Sequence, residues 1–240
     1  MLHSLPNPEP EFSSVEQRNP WAVVDLIVFA LFFVVMLVLI APLAKLPVIY
    51  AIPLQGLFNI ALVAFIAGWI RIVRRSSFTE YIHFFRSRTF STRSLIILGV
   101  ASALSVLLLS ALLPSSGQTP LEKLLTSRNA ILVFGIFGVA VAPLLEEVIF
   151  RGFLFQVLWE IGGSSAAIVV TAALFALLHA GQLAGNWGGV VLIFLVGCIL
   201  SLVRHHSNSI LPSFIVHTSY NTTLFVLFAL SSLTQKASIS

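Results

Sequence analysis

The sequence predicts an all-α fold, a polytopic transmembrane helical bundle of about seven spans. Three observations predict it. Hydrophobic residues make up 58% of the 240-residue chain. Charged residues make up 9%, against roughly a quarter in soluble domains. Finally, the apolar residues gather into runs near the ~20 residues that a helix needs to cross a bilayer. Mean hydropathy, +1.02, agrees.

Residues 1–20, MLHSLPNPEPEFSSVEQRNP, form a polar tail. They lack the basic start, short apolar core and small-residue cleavage site of a signal peptide, so the first span is expected to remain as an anchor. That span is predicted over 21–40, closed by Pro42 and Pro47. The second follows at 48–70 and the third at 94–113. The fourth, 130–159, is the longest and contains Glu146, Glu147 and Arg151; a break near Pro143 would add an eighth crossing. The fifth covers 164–180, the sixth 188–203 and the seventh 210–233, leaving a short tail at 234–240. The chain thus divides into N-terminal helices over 21–129, with a basic loop at 71–93, and a candidate catalytic core over 130–233.

The net charge of +4 has its explanation in topology rather than nucleic acid. Arg71, Arg74, Arg75, Arg86, Arg88 and Arg93 crowd the loop after the second span, and Arg18 and Arg204 fall on the same side. Lys45, Lys123, Arg128 and Lys236 fall on the other. The excess of positive charge places the N-terminus in the cytoplasm, consistent with an integral protein of the plasma (inner) membrane. Arg151 stands out as the basic residue within a span. The loop segment FTEYIHFFRSRTF, 78–90, has the mix expected of a helix at headgroup level, with substrate docking as the sharper alternative. Trp21, Trp69 and Trp159 fit an interfacial belt. The single Cys198 excludes an intramolecular disulfide and a cysteine-rich zinc cluster.

Charge inside a span costs ~2.5–3.5 kcal/mol per residue on insertion scales, so the fourth span's three charged residues need a reason. Glu147 and Arg151 have the favourable i, i+4 order and account for each other. Glu146, about 100° around the helix, is left over. His179 closes the fifth span, and His217 and Asn221 share one face of the seventh. At ~1.5 Å per residue, Glu146, His179, Asn221 and His217 lie ~20, ~22, ~17 and ~11 Å from the cytoplasmic helix ends. Helices running in alternating directions thus bring their polar residues to one layer.

Such a layer suits hydrolysis. Glu147, held by Arg151, would stay ionised and leave Glu146 to polarise a water with an imidazole. A second imidazole and an amide would donate to the resulting oxyanion. Alternatively, Glu146, His179 and His217 could hold zinc, leaving its fourth position for water. There is no HExxH, GxSG or GxGD motif, and Asp25 is the lone aspartate, which excludes an aspartate dyad.

EEVIFR (Glu146, Glu147, Arg151), FALLH (Phe175, His179) and HTSYN (His217, Asn221) resemble, in order, the EExxxR, FxxxH and HxxxN motifs of the CPBP, or Abi, family of intramembrane proteases. That family includes CAAX prenyl endopeptidases and bacteriocin-processing or bacteriocin-immunity proteins. The resemblance covers roughly 130–225, and the family's CAAX endopeptidases look eight-spanned against the seven counted here. It implies an endopeptidase in which Glu146 and His179 activate water and His217 and Asn221 stabilise the oxyanion. Glu147 and Arg151 would support the site, and Phe175 would pack. The implied partners are membrane lipid and a peptide or protein substrate, prenylated in the CAAX branch. Two other readings of the same polar layer are a non-enzymatic scaffold or immunity protein and a proton-coupled transporter. Against the transporter, the sequence contains no internal repeat.

Overall fold

The computed structural model describes residues 19, 21–45, 50–113, 131, 135–183 and 185–237. The rest of the polar N-terminal tail, Lys123, Arg128 and the 129/130 boundary lie outside the described residues. Among those described the chain is helical, with no strand. This follows from the solvent: in hydrocarbon every backbone N–H and C=O must be satisfied within its own segment.

Helix α1 (Trp21–Ile40) buries Ala22, Asp25 and Phe29 at helical spacing and packs Leu26, Phe32, Phe33, Met36 and Ile40 partly buried beside them. Helix α2 (Ala51–Trp69) is prolonged by a π-helical turn, Ile70–Arg74, and stops where Arg75 turns left-handed. A single turn, α3 (Phe78–Tyr81), precedes α4 (Thr92–Ser110), whose first turn is capped by the Ser91 hydroxyl accepting from the Ser94 N–H. Next comes a long rod: π-helical Phe137–Val141, α5 (Ala142–Glu147), π-helical Val148–Leu154, and α6 (Phe155–His179). Helices α7 (Trp187–Ser207) and α8 (Ile210–Ala237) complete the bundle.

Six helices are long and apolar enough to span a membrane, and one of them, Phe137–His179, has 43 residues. That length is two crossings. Gly163, at φ 77° and ψ −177°, breaks α6, and the chain folds back there. The rings of Phe150 and Phe175 are consequently 5.2 Å apart, whereas a straight helix would separate them by ~37 Å. The fourth and fifth predicted spans are the two arms of this hairpin. The backbone stays right-handed helical past Pro143, from Val141 to Val148, so no eighth crossing forms there. Gly163 occupies a region of backbone space that is essentially glycine-only. Gly163→Ala is expected to cost about 1–3 kcal/mol, although nothing crowds the position; denaturant unfolding in a fixed detergent would measure this strain.

At one end of the bundle, buried Asp25 accepts from the Trp69 indole (2.8 Å) and from Arg74 Nε (2.7 Å), and Arg74 Nη2 reaches Glu160 (2.8 Å). This network ties α1, α2 and the hairpin's first arm together. Two readings change as a result. Trp69 is a hydrogen-bond donor inside the bundle rather than only a belt residue, and Arg74 is an ion-pair partner rather than a free loop charge. Arg204 changes more: α7 runs past it, and the side chain is fully buried, so it adds nothing to a surface charge count. Arg151 is therefore not alone as a basic residue within the spans.

The segment 78–90 is not a headgroup-level helix beyond its single turn. It folds against the bundle, with Ile82 buried against Gly152. The Ile210 N–H donates to the His83 carbonyl, and the Ser209 hydroxyl donates to the Phe85 carbonyl. Burial lowers the His83 pKa, the nearby Arg204 charge lowers it further, and a hydrogen bond to the Asn208 backbone opposes them. A folded-state pKa below the unfolded one means that the folded chain binds fewer protons, so stability falls as pH drops below the ordinary histidine value near 6.5. His83 has a left-handed φ of 55°, which asparagine tolerates. His83→Asn is therefore expected to flatten the loss of melting temperature between neutral and mildly acidic pH; an unchanged slope would refute it.

Candidate active site

The π-helical stretch 148–154 and the α5 turn before it set the first part of the site. Glu147 points into the bundle and is fully buried, as is Arg151 one turn later. Arg151 Nη1 donates to Glu147 Oε1 at 3.1 Å, so the expected i, i+4 ion pair is present. The same oxygen is 2.9 Å from His217 Nδ1, on α8. A carboxylate accepts here, so Nδ1 carries the hydrogen and Nε2 faces the other way. That other side is Glu146: its Oε2 lies 3.7 Å from His217 Nε2, too far for a hydrogen bond. Glu146 is also the less buried acid, its side chain 17% exposed against 0% for Glu147.

Phe175 lies at the centre of the cluster. Its ring stands 4.6 Å from the Arg151 guanidinium carbon, 4.5 Å from the His179 ring and 5.7 Å from the His217 ring. The packing expected of it is thus specific, because it holds a cation on its face and touches both imidazoles. His179 Nδ1 lies 2.7 Å from the Phe175 carbonyl. A carbonyl only accepts, so this bond places the hydrogen on Nδ1 and leaves Nε2 of the neutral ring with a lone pair. Asn221 uses one amide hydrogen on the Gly138 carbonyl, at 2.8 Å, in the π-helical turn before α5.

Structure and sequence agree on convergence: Glu146, Glu147, Arg151, Phe175, His179 and His217 join through the contacts above. Asn221 reaches the same hairpin arm about two turns before Glu146, at Gly138. Zinc would need three side chains to converge within ~2.0–2.3 Å of one point. Among the described residues no group of three His, Cys, Asp or Glu is so placed, although the Nδ1 bonds of His179 and His217 are of the kind that a metal-ligating imidazole makes. The arrangement does not fit a three-ligand zinc site of Glu146, His179 and His217.

All three motif segments fall within residues 128–223, and these residues match the family model described as type II CAAX prenyl endopeptidase Rce1-like. Over residues 128–223 the chain is thus similar to the CPBP/CAAX protease family. At the family level the matched region is a CAAX-protease-like domain of an integral membrane protein. No curated protein and no solved structure gave a match.

Sequence reasoning missed two kinds of participant in this CAAX-protease-like domain. The carbonyls of Gly138 and Gly197, which accept from Asn221 and Arg151, are backbone atoms and leave no trace in residue identity. Arg204, which donates to the Arg151 carbonyl, was hidden by its place at the predicted end of a span.

Proposed function

We propose that the chain is an intramembrane endopeptidase that hydrolyses a peptide bond by a water activated at Glu146. The observation that supports this reading best is the unequal treatment of the two neighbouring acids. Glu147 Oε1 accepts from both Arg151 and His217, and its Oε2 is buried without a hydrogen-bond partner among the described residues, whereas Glu146 has no hydrogen bond among the described residues and keeps part of its surface open. A pair needed only for structure has no use for the second carboxylate.

In the proposed reaction the water oxygen adds to the scissile carbonyl carbon while Glu146, assisted by the free Nε2 of His179, takes the water proton. The tetrahedral oxyanion accepts from the second amide hydrogen of Asn221 and from His217. His217 already donates from Nδ1 to Glu147, so it donates from Nε2 only as imidazolium. On collapse the C–N bond breaks, and the proton held at the base passes to the leaving amine, giving an acid and an amine. Glu147 and Arg151 hold His217 in place, and Phe175 aligns the two imidazoles.

The catalytic unit of this proposal is 130–233, with 21–129 as accompanying membrane helices. The N-terminus is cytoplasmic, the plasma (inner) membrane is the location, and the substrate is a peptide or protein at the lipid surface, prenylated if this chain follows the CAAX branch. The test is cleavage of fluorogenic peptides with and without a C-terminal prenyl group, by wild type, Glu146→Gln and His179→Ala, each with and without chelator. Cleavage by wild type alone, insensitive to chelator, is expected. Equal cleavage by all three proteins would refute the residue roles, and chelator sensitivity reversed by zinc would refute the metal-free step.

A further inference from the structure

Arg204 is fully buried, and among the described residues it has no carboxylate partner. Its Nε donates to the Arg151 carbonyl at 3.0 Å, its Nη1 donates to Asn208 Oδ1 at 3.2 Å, and its guanidinium carbon stands 5.3 Å from the Phe155 ring. Nη2 has no partner among the described residues. An unpaired buried cation is a poor choice for stability alone, because desolvation opposes it and no opposite charge offsets it.

The acceptor explains the choice. In an α-helix the Arg151 carbonyl would receive the Phe155 N–H. Here the π-helical register gives that N–H to the Phe150 carbonyl, which frees the oxygen that Arg204 reaches. Meanwhile Arg151 sends its own Nη2 across to the Gly197 carbonyl of α7, at 3.1 Å. The two helices therefore exchange arginines, each side chain donating to a backbone carbonyl of the other helix. Gly197 is itself held by close packing, because a Cβ there would lie 3.0 Å from Ala172 Cα on the hairpin's second arm.

We propose that Arg204 is a positioning residue for the reaction assigned above: together with Arg151 it forms a reciprocal clasp that fixes the turn bearing Glu146 and Glu147 against α7. The inference rests on the protease reading for its kinetic consequence but not for its geometry. A residue kept for stability and a residue kept for position differ in the sign of one measurement. Replacing an uncompensated buried charge by an apolar group of like bulk relieves its desolvation cost, which offsets the donor lost from the Arg151 carbonyl, whereas releasing the turn misplaces the acids by a fraction of an ångström or more.

The test uses the full chain in one detergent, wild type against Arg204→Met, with three readouts. The melting midpoint is expected to be no lower than in wild type. The kcat is expected to fall about ten- to a hundredfold with KM little changed. Cys198, the neighbour of Gly197 and the single cysteine of the chain, is expected to be alkylated faster, as read by intact mass. A lower melting midpoint together with lower kcat would make Arg204 a stability element and overturn the proposal, as would unchanged kcat. If wild type cleaves nothing, the protease reading fails by itself. The clasp then stands only if alkylation quickens without loss of melting temperature, and is overturned if alkylation is unchanged.

Discussion

Glu146→Gln is expected to lower kcat by about 10²–10⁴-fold and to leave the melting midpoint almost untouched. The substitution keeps shape and volume and removes only the capacity to take a proton. Few contacts depend on the charge: the nearest basic atom, His217 Nε2, is 3.7 Å away, and the side chain is partly open. The same change one residue later should behave differently. Glu147→Gln removes the charge that offsets buried Arg151 and the acceptor that orients His217, so activity and stability should fall together. Running the two variants side by side separates chemistry from architecture. A Glu146→Gln protein that cleaves at the wild-type rate would return the site to a binding role, as in a scaffold or immunity protein. A large loss of melting temperature in that variant would mean that Glu146 is structural.

The contrast between these neighbours also shows what sequence can and cannot supply. Periodicity and spacing were enough to give the crossings, because in lipid an apolar run of the right length has little alternative to a helix. The pairing of Glu147 with Arg151 was legible for a similar reason: i, i+4 geometry is local. So was the reversal between the fourth predicted span, which ends at 159, and the fifth, which begins at 164. What sequence did not supply was depth and register between distant elements. Arg204 lies at the predicted end of a span, where a basic residue normally meets headgroups, and only the packing of α7 against the hairpin reveals that it is enclosed. The segment 78–90 has the composition of an interfacial helix, yet Ile82 finds Gly152 and the loop is pinned by the turn between α7 and α8. His217 was legible as a member of the site, but its dependence on Glu147 was not, because the two residues are 70 positions apart in sequence.

Arg151→Met should be the most destabilising single change in the site, at about 3–5 kcal/mol. The cost arises less from the hydrogen bonds removed than from what remains: a carboxylate at 0% exposure whose strongest offsetting charge has gone. The substitution also takes the guanidinium from the face of Phe175 and the donor from the Gly197 carbonyl. If the uncompensated charge dominates, the cost should shrink when Glu147→Gln is added, since the neutral amide no longer needs a cation. A double-mutant cycle in equilibrium unfolding would then give a strongly non-additive result, the pair of changes costing less than the sum of the singles. Additive costs would mean instead that packing and backbone bonds, not charge, make Arg151 indispensable. That outcome would bear on mechanism as well, because Glu147 could then be charged without Arg151, and the division of labour between the two acids would rest on His217. A non-additive cycle, combined with full folding and lost cleavage in Glu146→Gln, would assign one acid to holding the site and the other to using it.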